Sequence, residues 1–533
     1  MPLTRPQRIA FRLCLAAAAT FALFVAVGFI AEHQVRVRLD DAAAQVCARV
    51  DDANPPEVTV TLLDRSVRIT GLTLEPLASC SDHPMAVRGH LDTLQVSGVS
   101  LMGLLFSGSF AAQNLVIQVK DGSIAMRSDT ASIKPANEMK PPGDAWSIDL
   151  ESFHVQLRSI TVLTGAGDTI NARDEGVGAG GRDLHFLTGQ ENALASLRVQ
   201  KLLLSVDSLD ASMASGYLWS IGRCAVDEEK GTIDVHGVRL DPEKDLEQLS
   251  TTLQFETDVF QVRLDTVQVA GADVNKMLAQ GVLSARAVNL AGGDVTVLRD
   301  KTLPDGPSVV MPLLARVIRQ LPSGSGVDTI SVDGLNARYR ERGDPRRGYA
   351  LIPFTDISAT ITGVRPDAAD TNALVVRARC IAFDTTPVSL KLRSVIADTT
   401  DHFELDASIG SMSFTALNKA TGPLADIQAT AGRMDSVIFR MSAGDRHAQG
   451  VVHMAYRGLK VTSGGRKSDE TMNRIETLLI NSLVRDRSRD RDGTPRQGVF
   501  SFDRRRDRAI FNYMWSGLRE GTKAMLMPDG LVK

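Results

Sequence analysis

The sequence predicts a mainly β protein with short helices (α+β) that follows an N-terminal transmembrane helix. One observation is an eight-residue phrase that occurs at Leu91–Gly98, Leu264–Gly271 and Val327–Gly334. Each copy contains an Asp and a Thr, then alternates apolar and polar residues, and ends on Gly. Period-two alternation assigns one set of side chains to each face of a sheet, and it recurs along most of the chain. The second observation is one long uncharged run near the N-terminus. Repeated strands build extended surfaces, so the pattern favours binding or carrying over a single catalytic centre.

The composition excludes several classes of protein. The chain has 533 residues, a formal net charge of -3, 43% hydrophobic residues and only 5% aromatic residues. A general nucleic-acid binder needs a basic stripe, which this charge balance does not supply, so we expect no nucleic-acid partner. Few aromatic side chains are present to stack on bases. The apolar content is therefore mainly aliphatic.

The N-terminus carries the most specific localisation signal. Residues 1–12 form a basic segment that contains three arginines, and residues 13–31 are uncharged. A helix over this run is about 28 Å long, close to the thickness of a bilayer's hydrocarbon core. Positive charge before the run predicts a single-pass anchor with a cytoplasmic N-terminus and the bulk of the chain on the far side. The alternative is a signal peptide cleaved after Gly28, which would also export the body of the protein.

Composition divides the remainder of the chain into four segments. We expect a stalk helix and a β unit over residues 32–133, and a Pro-rich polar linker over 134–145. A repetitive strand region follows over 146–465, and a helical, charged region over 466–533. Alternating strands separated by turn residues account for most of this length.

Helices are predicted at a few places only. Short helices are expected over Asp273–Leu283 and Val309–Leu321, the second despite its internal proline. Near the C-terminus, Met472–Val484 has an apolar stripe at helical spacing. A last strand at Gly498–Phe502 then precedes a helix over Ala509–Met525.

Recognised catalytic and metal-binding motifs are missing from the sequence. No HExxH, GxSxG or GxxxxGK[ST] pattern occurs, and the five cysteines form no CxxC pair. A disulfide between Cys47 and Cys80 is one interpretation of the cysteines, and isolated thiols are the other. We therefore expect no enzymatic activity, no cofactor, no metal and no catalytic residue.

One glycine pattern resembles a nucleotide-binding motif. Gly176, Gly178 and Gly181 spell GxGxxG. A dinucleotide fingerprint requires a strand before the motif and a helix after it, and neither is predicted here. We interpret these glycines as a flexible loop.

The recurring phrase supplies the candidate binding residues. Its apolar positions should share one face of the sheet, so a charge at Val96, Val269 or Val332 should be more damaging than one at the neighbouring polar position. The candidate residues of this apolar surface are Leu94, Val96, Val267, Val269, Ile330 and Val332.

A basic and aromatic cluster near the C-terminus is the second candidate surface. The arginines would attract anionic headgroups while two aromatic side chains enter the membrane interface. The alternative is ordinary packing of this helix against the sheet. The candidate membrane-contact residues are Arg504, Arg505, Arg506, Phe511 and Trp515.

The order of these features resembles the AsmA-like proteins of bacterial envelopes. The resemblance lies in the anchor, in short apolar helices placed as in Leu91–Phe106, and in the stretch Val327–Tyr339. The ending Gly498–Gly521 looks like that of a Bacteroidota-type subgroup. The resemblance implies a long twisted antiparallel sheet folded into an open groove, over residues 146–465, and kinship with repeating β-groove proteins that move phospholipids. It also implies an inner-membrane anchor with a periplasmic body, and it brings no motif of functional residues.

Three functions remain open on the sequence alone. The first is a groove that binds or conducts phospholipid, and the second is an envelope assembly factor that binds outer-membrane protein clients through sheet edges. The third is a hydrolase with a non-standard site. Alternation alone also fits a closed β-sandwich, whose apolar faces are filled by the protein's own side chains.

Overall fold

The computed structural model of the protein confirms a mainly β fold with a mostly antiparallel sheet. The residues that it describes are 43, 48–61, 65–77, 85–100, 109–126, 147–164, 166–173, 176–187, 197–307, 309–367, 373–463, 488 and 495–526. The predicted anchor, the Pro-rich linker, the helix over Met472–Val484 and both Cys47 and Cys80 lie outside these ranges. Among the described residues, no helix is both long enough and apolar enough to cross a membrane.

The strands and helices follow one another along the chain with few long gaps. The strands are β1 Ala48–Val50, β2 Glu57–Thr61, β3 Ser66–Pro76, β4 Met85–Ser97, β5 Ser109–Met126, β6 Ser147–Leu157, β7 Ile160–Leu163, β8 Thr169–Ala172, β9 Val177–Leu187, β10 Arg198–Met213, β11 Tyr217–Asp227, β12 Thr232–Pro242, β13 Asp258–Ala270, β14 Ser284–Asp300, β15 Gly326–Arg342, β16 Ala350–Val364, β17 Ala373–Ala382, β18 Thr386–Val395, β19 Phe403–Ile409, β20 Met412–Ser413, β21 Ile427–Ala443, β22 His447–Ser463 and β23 Gly498–Asp503. The α-helices are α1 Leu246–Thr251, α2 Val274–Gln280, α3 Leu314–Arg319, α4 Asn418–Ala425 and α5 Ile510–Leu526, and a 3₁₀ turn covers Phe414–Leu417.

The chain forms two compact units. The first consists of Met1–Leu240 with Gln268–Leu283, and the second of Asp241–Val267 with Ser284–Lys533. Residues on both sides of the predicted linker, 134–145, belong to the first unit.

In the first unit, the strands pair around β5 in an order that is only partly sequential. Strands β3, β4 and β5 pair antiparallel with their neighbours, while β6 and β7 lie parallel to β5. Antiparallel pairing resumes from β6 through β9 to β10 and β11. A parallel pair needs a long crossover, and the connection from β5 to β6 spans residues 127–146.

The second unit is an antiparallel meander from β15 to β23, preceded by a parallel pair. Strands β14 and β15 run parallel, and each later strand pairs antiparallel with the next, except that β19 pairs with β21, to which the short β20 also pairs antiparallel. The connection from β14 to β15 contains α3 and is long enough to return the chain to the starting edge. The prediction of an antiparallel sheet therefore misses the pairings β5–β6, β5–β7 and β14–β15.

The predicted helices are confirmed in part. Helix α2 begins after Asp273, whose side chain accepts a hydrogen bond from the backbone N–H of Lys276 at 2.9 Å. Helix α5 and strand β23 occur where they were predicted. The helix predicted over Val309–Leu321 is shorter, since α3 begins at Leu314. Pro312 disfavours helical geometry in the residue before it, so the helix starts beyond the proline.

The glycines of the recurring phrase share one backbone conformation. Gly98, Gly271 and Gly334 have φ values of 67°, 68° and 66°, in the left-handed region that favours glycine. The first two directly follow the ends of β4 and β13. The third lies inside β15, where the register shifts between Val332 and Leu335. The prediction that every copy ends its strand is thus wrong for the third, because its glycine forms a bulge instead.

Two of the three GxGxxG glycines lie in a strand instead of a flexible loop, which corrects our interpretation for those two. Gly178 and Gly181 lie in β9, between β6 and β10. A Cβ at Gly181 would approach Phe153 Cε1 to 2.7 Å and Val199 Cγ2 to 3.0 Å. Glycine is unusual in strands but is used where a neighbouring group comes this close.

Substituting Gly181 by alanine should therefore destabilise the first unit by about 1–3 kcal/mol, because Phe153 must leave its position. Gly180→Ala is the matched control, since its Cβ would have no neighbour closer than 3.5 Å. Urea unfolding of the full chain measures both variants. Equal stability of the two would contradict this assignment.

Candidate functional site

Cross-strand registers in the first unit align apolar side chains from strand to strand. Leu94 lies opposite Ile69 and Ile117, which shows how the first copy of the phrase joins its neighbours. The complete row is Ile69, Leu94, Ile117, Val155, Ala179, Leu204 and Val226. The row has one member on each of β3, β4, β5, β6, β9, β10 and β11, so these seven strands share one apolar face.

The first candidate residues lie in packed cores at one end of this row. Leu94 is 2% exposed and packs with Ile69, Leu72 and Ile117. Val96 is also 2% exposed and packs with Phe110 and other apolar side chains. Further along the row, Val155, Ala179 and Leu204 are half-buried. The apolar face is thus filled by the protein's own side chains around β4 and more open around β6 to β10.

The candidates on β13 are placed with the predicted facing. Val269 is buried, Val267 is half-buried, and Gln268 between them is exposed. Gln268 donates a hydrogen bond from Nε2 to Asp234 Oδ1 at 3.1 Å. The apolar and polar sets of the second phrase therefore point in opposite directions.

In the second unit, two apolar rows run side by side across the meander from β14. We call them the apolar rows. The first consists of Val288, Ile330, Ile361, Val376, Leu392, Leu405 and Met441. The second consists of Leu290, Val332, Ala359, Ala378, Leu390, Ala407, Phe439 and Val452.

The opposite face of the same strands is polar. Ser331, next to Val332, lies in register with Thr360, which in turn lies beside Arg377. This polar row continues through Lys391, Asp406 and Arg440, all of which are exposed. The sheet of the second unit therefore has one aliphatic and one charged face.

Coverage of the apolar rows changes along the sheet. On β18 to β22 most row members are buried, with Leu392 and Leu405 2% exposed, Phe439 3% and Val452 0%, whereas Leu390 and Ala407 are half-buried. On β14 to β17 all eight row members are only half-buried. We call this part, on β14 to β17, the open stretch, and it contains the candidates Ile330 and Val332.

Helices cover the buried part of the rows and also reach the open stretch, because Ile361 and Val376 pack against the α3 cluster. Ala315 and Ile318 of α3 pack with Leu374 and Ile396 at one end of the strands. Helix α4 packs against β16 and β21 towards the other end. Helix α5 lies on β22 and β23. The residues of α5 that are buried are Tyr513, Gly517, Gly521 and Met525.

The two aromatic membrane-contact candidates lie on another side of α5. Phe511 is 46% exposed and Trp515 is 45% exposed. The ring of Phe511 lies 6.2 Å from that of Tyr339 on β15, measured between centroids. Packing of α5 against the sheet, the alternative to membrane contact, thus accounts for one face of the helix and leaves this aromatic edge accessible.

The three arginine candidates differ in exposure. Arg504 has a fully buried side chain that pairs with Asp445 at 3.1 Å and donates to the Met311 carbonyl at 2.6 Å. Burial lowers the pKa of Arg504. Arg506 pairs with the same carboxylate at 2.8 Å, whereas Arg505 is 61% exposed beside Asp507. Arg504 therefore lies in the interior of the second unit, and Arg505 is the exposed member.

A second buried ion cluster fixes α3 to the sheet. Asp401, whose side chain is 0% exposed, pairs with Arg316 at 2.5 Å and also with Arg319. Arg319 further donates to the carbonyls of Ile396 at 2.6 Å and Asp398 at 2.9 Å. Sequence reasoning missed this cluster, because its members are separated by 82 residues.

The described part of the chain contains two of the five cysteines. Cys224 and Cys380 are free and half-buried, and burial raises the pKa of both thiols. No group of residues with metal-ligand spacing occurs within the described ranges.

Comparisons with models of known protein families and with curated proteins find no match to this chain.

Proposed function

We propose that this chain is a membrane-anchored cell-envelope protein whose apolar sheet face binds or conducts phospholipid. The observation that carries the proposal is the open stretch, where two aligned apolar rows remain half-exposed on β14 to β17. Acyl chains are the occupants proposed for it, and the surface binds them without catalysing a reaction. In the proposal, residues 13–31 anchor the chain in the inner membrane and the body is periplasmic.

The chemistry of the open stretch suits acyl chains. Its side chains are Val, Leu, Ile and Ala, which offer dispersion contacts and no hydrogen bonds. Burial of apolar area contributes about 25 cal/mol per Å². A row of such residues left beside water is an interaction surface more often than a neutral surface. The charged opposite face supports the assignment, since the aliphatic content is confined to one side.

Helix α5 sets a limit to this surface in the second unit. Beyond β17 most row members lie in one buried cluster with Tyr513 and Met525 of α5, and Ile361 and Val376 of the open stretch pack against the α3 cluster. Acyl chains on the open stretch would therefore stop near β18 while α5 is docked. This favours a blind-ended binding surface in the second unit over a conduit that runs to β23.

Site-specific photocrosslinking tests the proposal. A photoreactive phenylalanine replaces Val332 in one version of the full chain and Ser331 in another, each in its native membrane. We expect phospholipid adducts at position 332 and roughly tenfold fewer at position 331, because these two side chains point to opposite faces of β15. Mass spectrometry of the crosslinked protein identifies the adducts. Ala378 and Arg377 provide a second matched pair on β17.

Two outcomes would count against the proposal. Equal lipid yields at positions 332 and 331 would reflect the surrounding bilayer instead of a binding surface. Adducts at 332 to another part of the same chain would mean that the open stretch is covered by the protein itself, as in a closed sandwich.

A second candidate function is an assembly factor that binds a protein client through a sheet edge. Within the described residues, β23 pairs with β22 alone, and its Val499 is 65% exposed. An edge strand of this kind can accept a further strand. Crosslinks from Val499 to a protein, with none to lipid from Val332, would favour this function.

A further inference from the structure

The polar face of the second unit brings a serine, a histidine and an aspartate together on two neighbouring strands. The register of β22 and β23 places His447 opposite Asp503 and Gln449 opposite Ser501. His447 Nδ1 lies 3.0 Å from Asp503 Oδ1, and His447 Nε2 lies 2.9 Å from Ser501 Oγ. Both distances are within hydrogen-bond range.

When the imidazole of His447 is neutral, the chemistry of the three groups sets the direction of both hydrogen bonds. An ionised carboxylate can only accept, so the neutral imidazole carries its proton on Nδ1 and donates it to Asp503. Nε2 is then the acceptor for the Ser501 hydroxyl. Asp503 therefore holds the tautomer in which His447 can remove a proton from Ser501.

Space for a ligand exists beside this serine. A shallow cavity of about 490 Å³ on the polar face is lined by Ser501, Gln449, Val451, Val499 and Arg440, among others. Val451 and Val499 face each other across the two strands and give the cavity an apolar patch. Gln449, directly opposite Ser501, has an amide that can donate to a developing oxyanion.

We propose that Ser501, His447 and Asp503 form an acyl-transfer site for small acyl esters. Ser501 Oγ attacks the acyl carbonyl while His447 Nε2 takes its proton, and the ester bond breaks. His447 gives that proton to the departing alcohol, which leaves an acyl-serine. A water molecule, deprotonated by the same nitrogen, then hydrolyses the acyl-serine and returns the enzyme and a carboxylic acid. Val451 and Val499 contact the acyl group.

This site is separate from the proposed lipid surface. Ser501 lies on the polar face, whereas the side chains of the apolar rows project from the other face of the sheet. The inference departs from our expectation that the chain carries no catalytic residue. Spacing motifs could not reveal it, because Ser501 and His447 are 54 residues apart and meet only through strand pairing.

The experiment uses the full chain in detergent micelles and two probes. A fluorophosphonate, which phosphonylates activated serines, is followed by peptide mapping, and p-nitrophenyl acetate reports ester turnover. We expect labelling at Ser501 that is lost in Ser501→Ala and is slowed about 100-fold in His447→Gln, the lower range for a general base. Asp503→Asn should slow it as well. Ser389→Ala is the control, an exposed serine of the same face that bonds Ser408 at 2.7 Å.

Thermal unfolding of each variant separates catalysis from structure. All three residues are exposed, so the variants should unfold within a few degrees of the wild type. No labelling of Ser501, or labelling that proceeds equally fast in His447→Gln, would overturn the proposal. Labelling of Ser389 at the same rate would show indiscriminate surface reactivity and would overturn it too. None of these results bears on lipid crosslinking at Val332.

Discussion

Replacing Asp401 by alanine is expected to lower the free energy of unfolding by about 3–5 kcal/mol. The carboxylate is fully buried between Arg316 and Arg319, so its removal takes away the shortest ion pair of both guanidinium groups and leaves only Asp445, at 3.5 Å, for Arg316 and two backbone carbonyls for Arg319. Those two arginines sit on α3, which covers one end of the apolar rows. Urea unfolding of the full chain, followed by fluorescence, measures the loss.

Asp406→Ala is the matched control for this experiment. Asp406 also pairs with an arginine, Arg440, at 3.5 Å, but the two side chains are 64% and 66% exposed. Exposed pairs contribute about 0–1 kcal/mol, so this variant should be nearly as stable as the wild type. Equal losses for Asp401→Ala and Asp406→Ala would contradict the assigned burial.

A loss of similar size, about 3–5 kcal/mol, is expected for Phe500→Ala. Phe500 is 5% exposed and its ring lies 5.9 Å from Phe439 and 6.0 Å from Phe502, between centroids. A Cβ at Gly517 or Gly521 of α5 would lie 3.2 Å or 3.1 Å from this ring. Removing the Phe500 ring leaves a cavity directly under α5, so hydrogen exchange of the α5 amides should also become faster.

Val499→Ala provides the control for Phe500, one residue away on the same strand. Val499 is 65% exposed on the opposite face, so its truncation should change stability by less than about 0.5 kcal/mol. Unchanged exchange of α5 in Phe500→Ala would mean that the helix is held by other contacts. The proposal that α5 limits the lipid surface would then need a different basis.

Facing within a strand was predictable, because it depends on local alternation. Val269 and Gln268 illustrate this, as one is buried and the other is exposed in the predicted sense. The short helix predicted over Asp273–Leu283 also occurs as α2, and the structure shows Asp273 and Gly281 capping its two ends. These signals act over a few residues, and tertiary contacts did not override them.

Coverage of the sheet faces was not predictable from the same signals. Arg504 looked like a surface arginine beside other charges, yet its partner Asp445 lies 59 residues earlier and buries it. The parallel pairing of β14 and β15 depends on the path of the connection between them, and the alternation of apolar and polar residues carries no information about that path. The Ser501–His447 contact likewise needs the register of two strands. Each of these features depends on contacts between residues far apart in the chain.

The position of α5 in the chain has a consequence for how this protein is made. Strands β18 to β22 precede α5 in synthesis, although the helix buries the aromatic and aliphatic side chains of β21 to β23. Each nascent chain therefore passes through a stage in which the apolar side chains of β21 to β23 lack the cover of α5. A chaperone that shields this sheet until α5 has been synthesised would prevent aggregation. Chains truncated before residue 510 would lack α5 and would be prone to proteolysis.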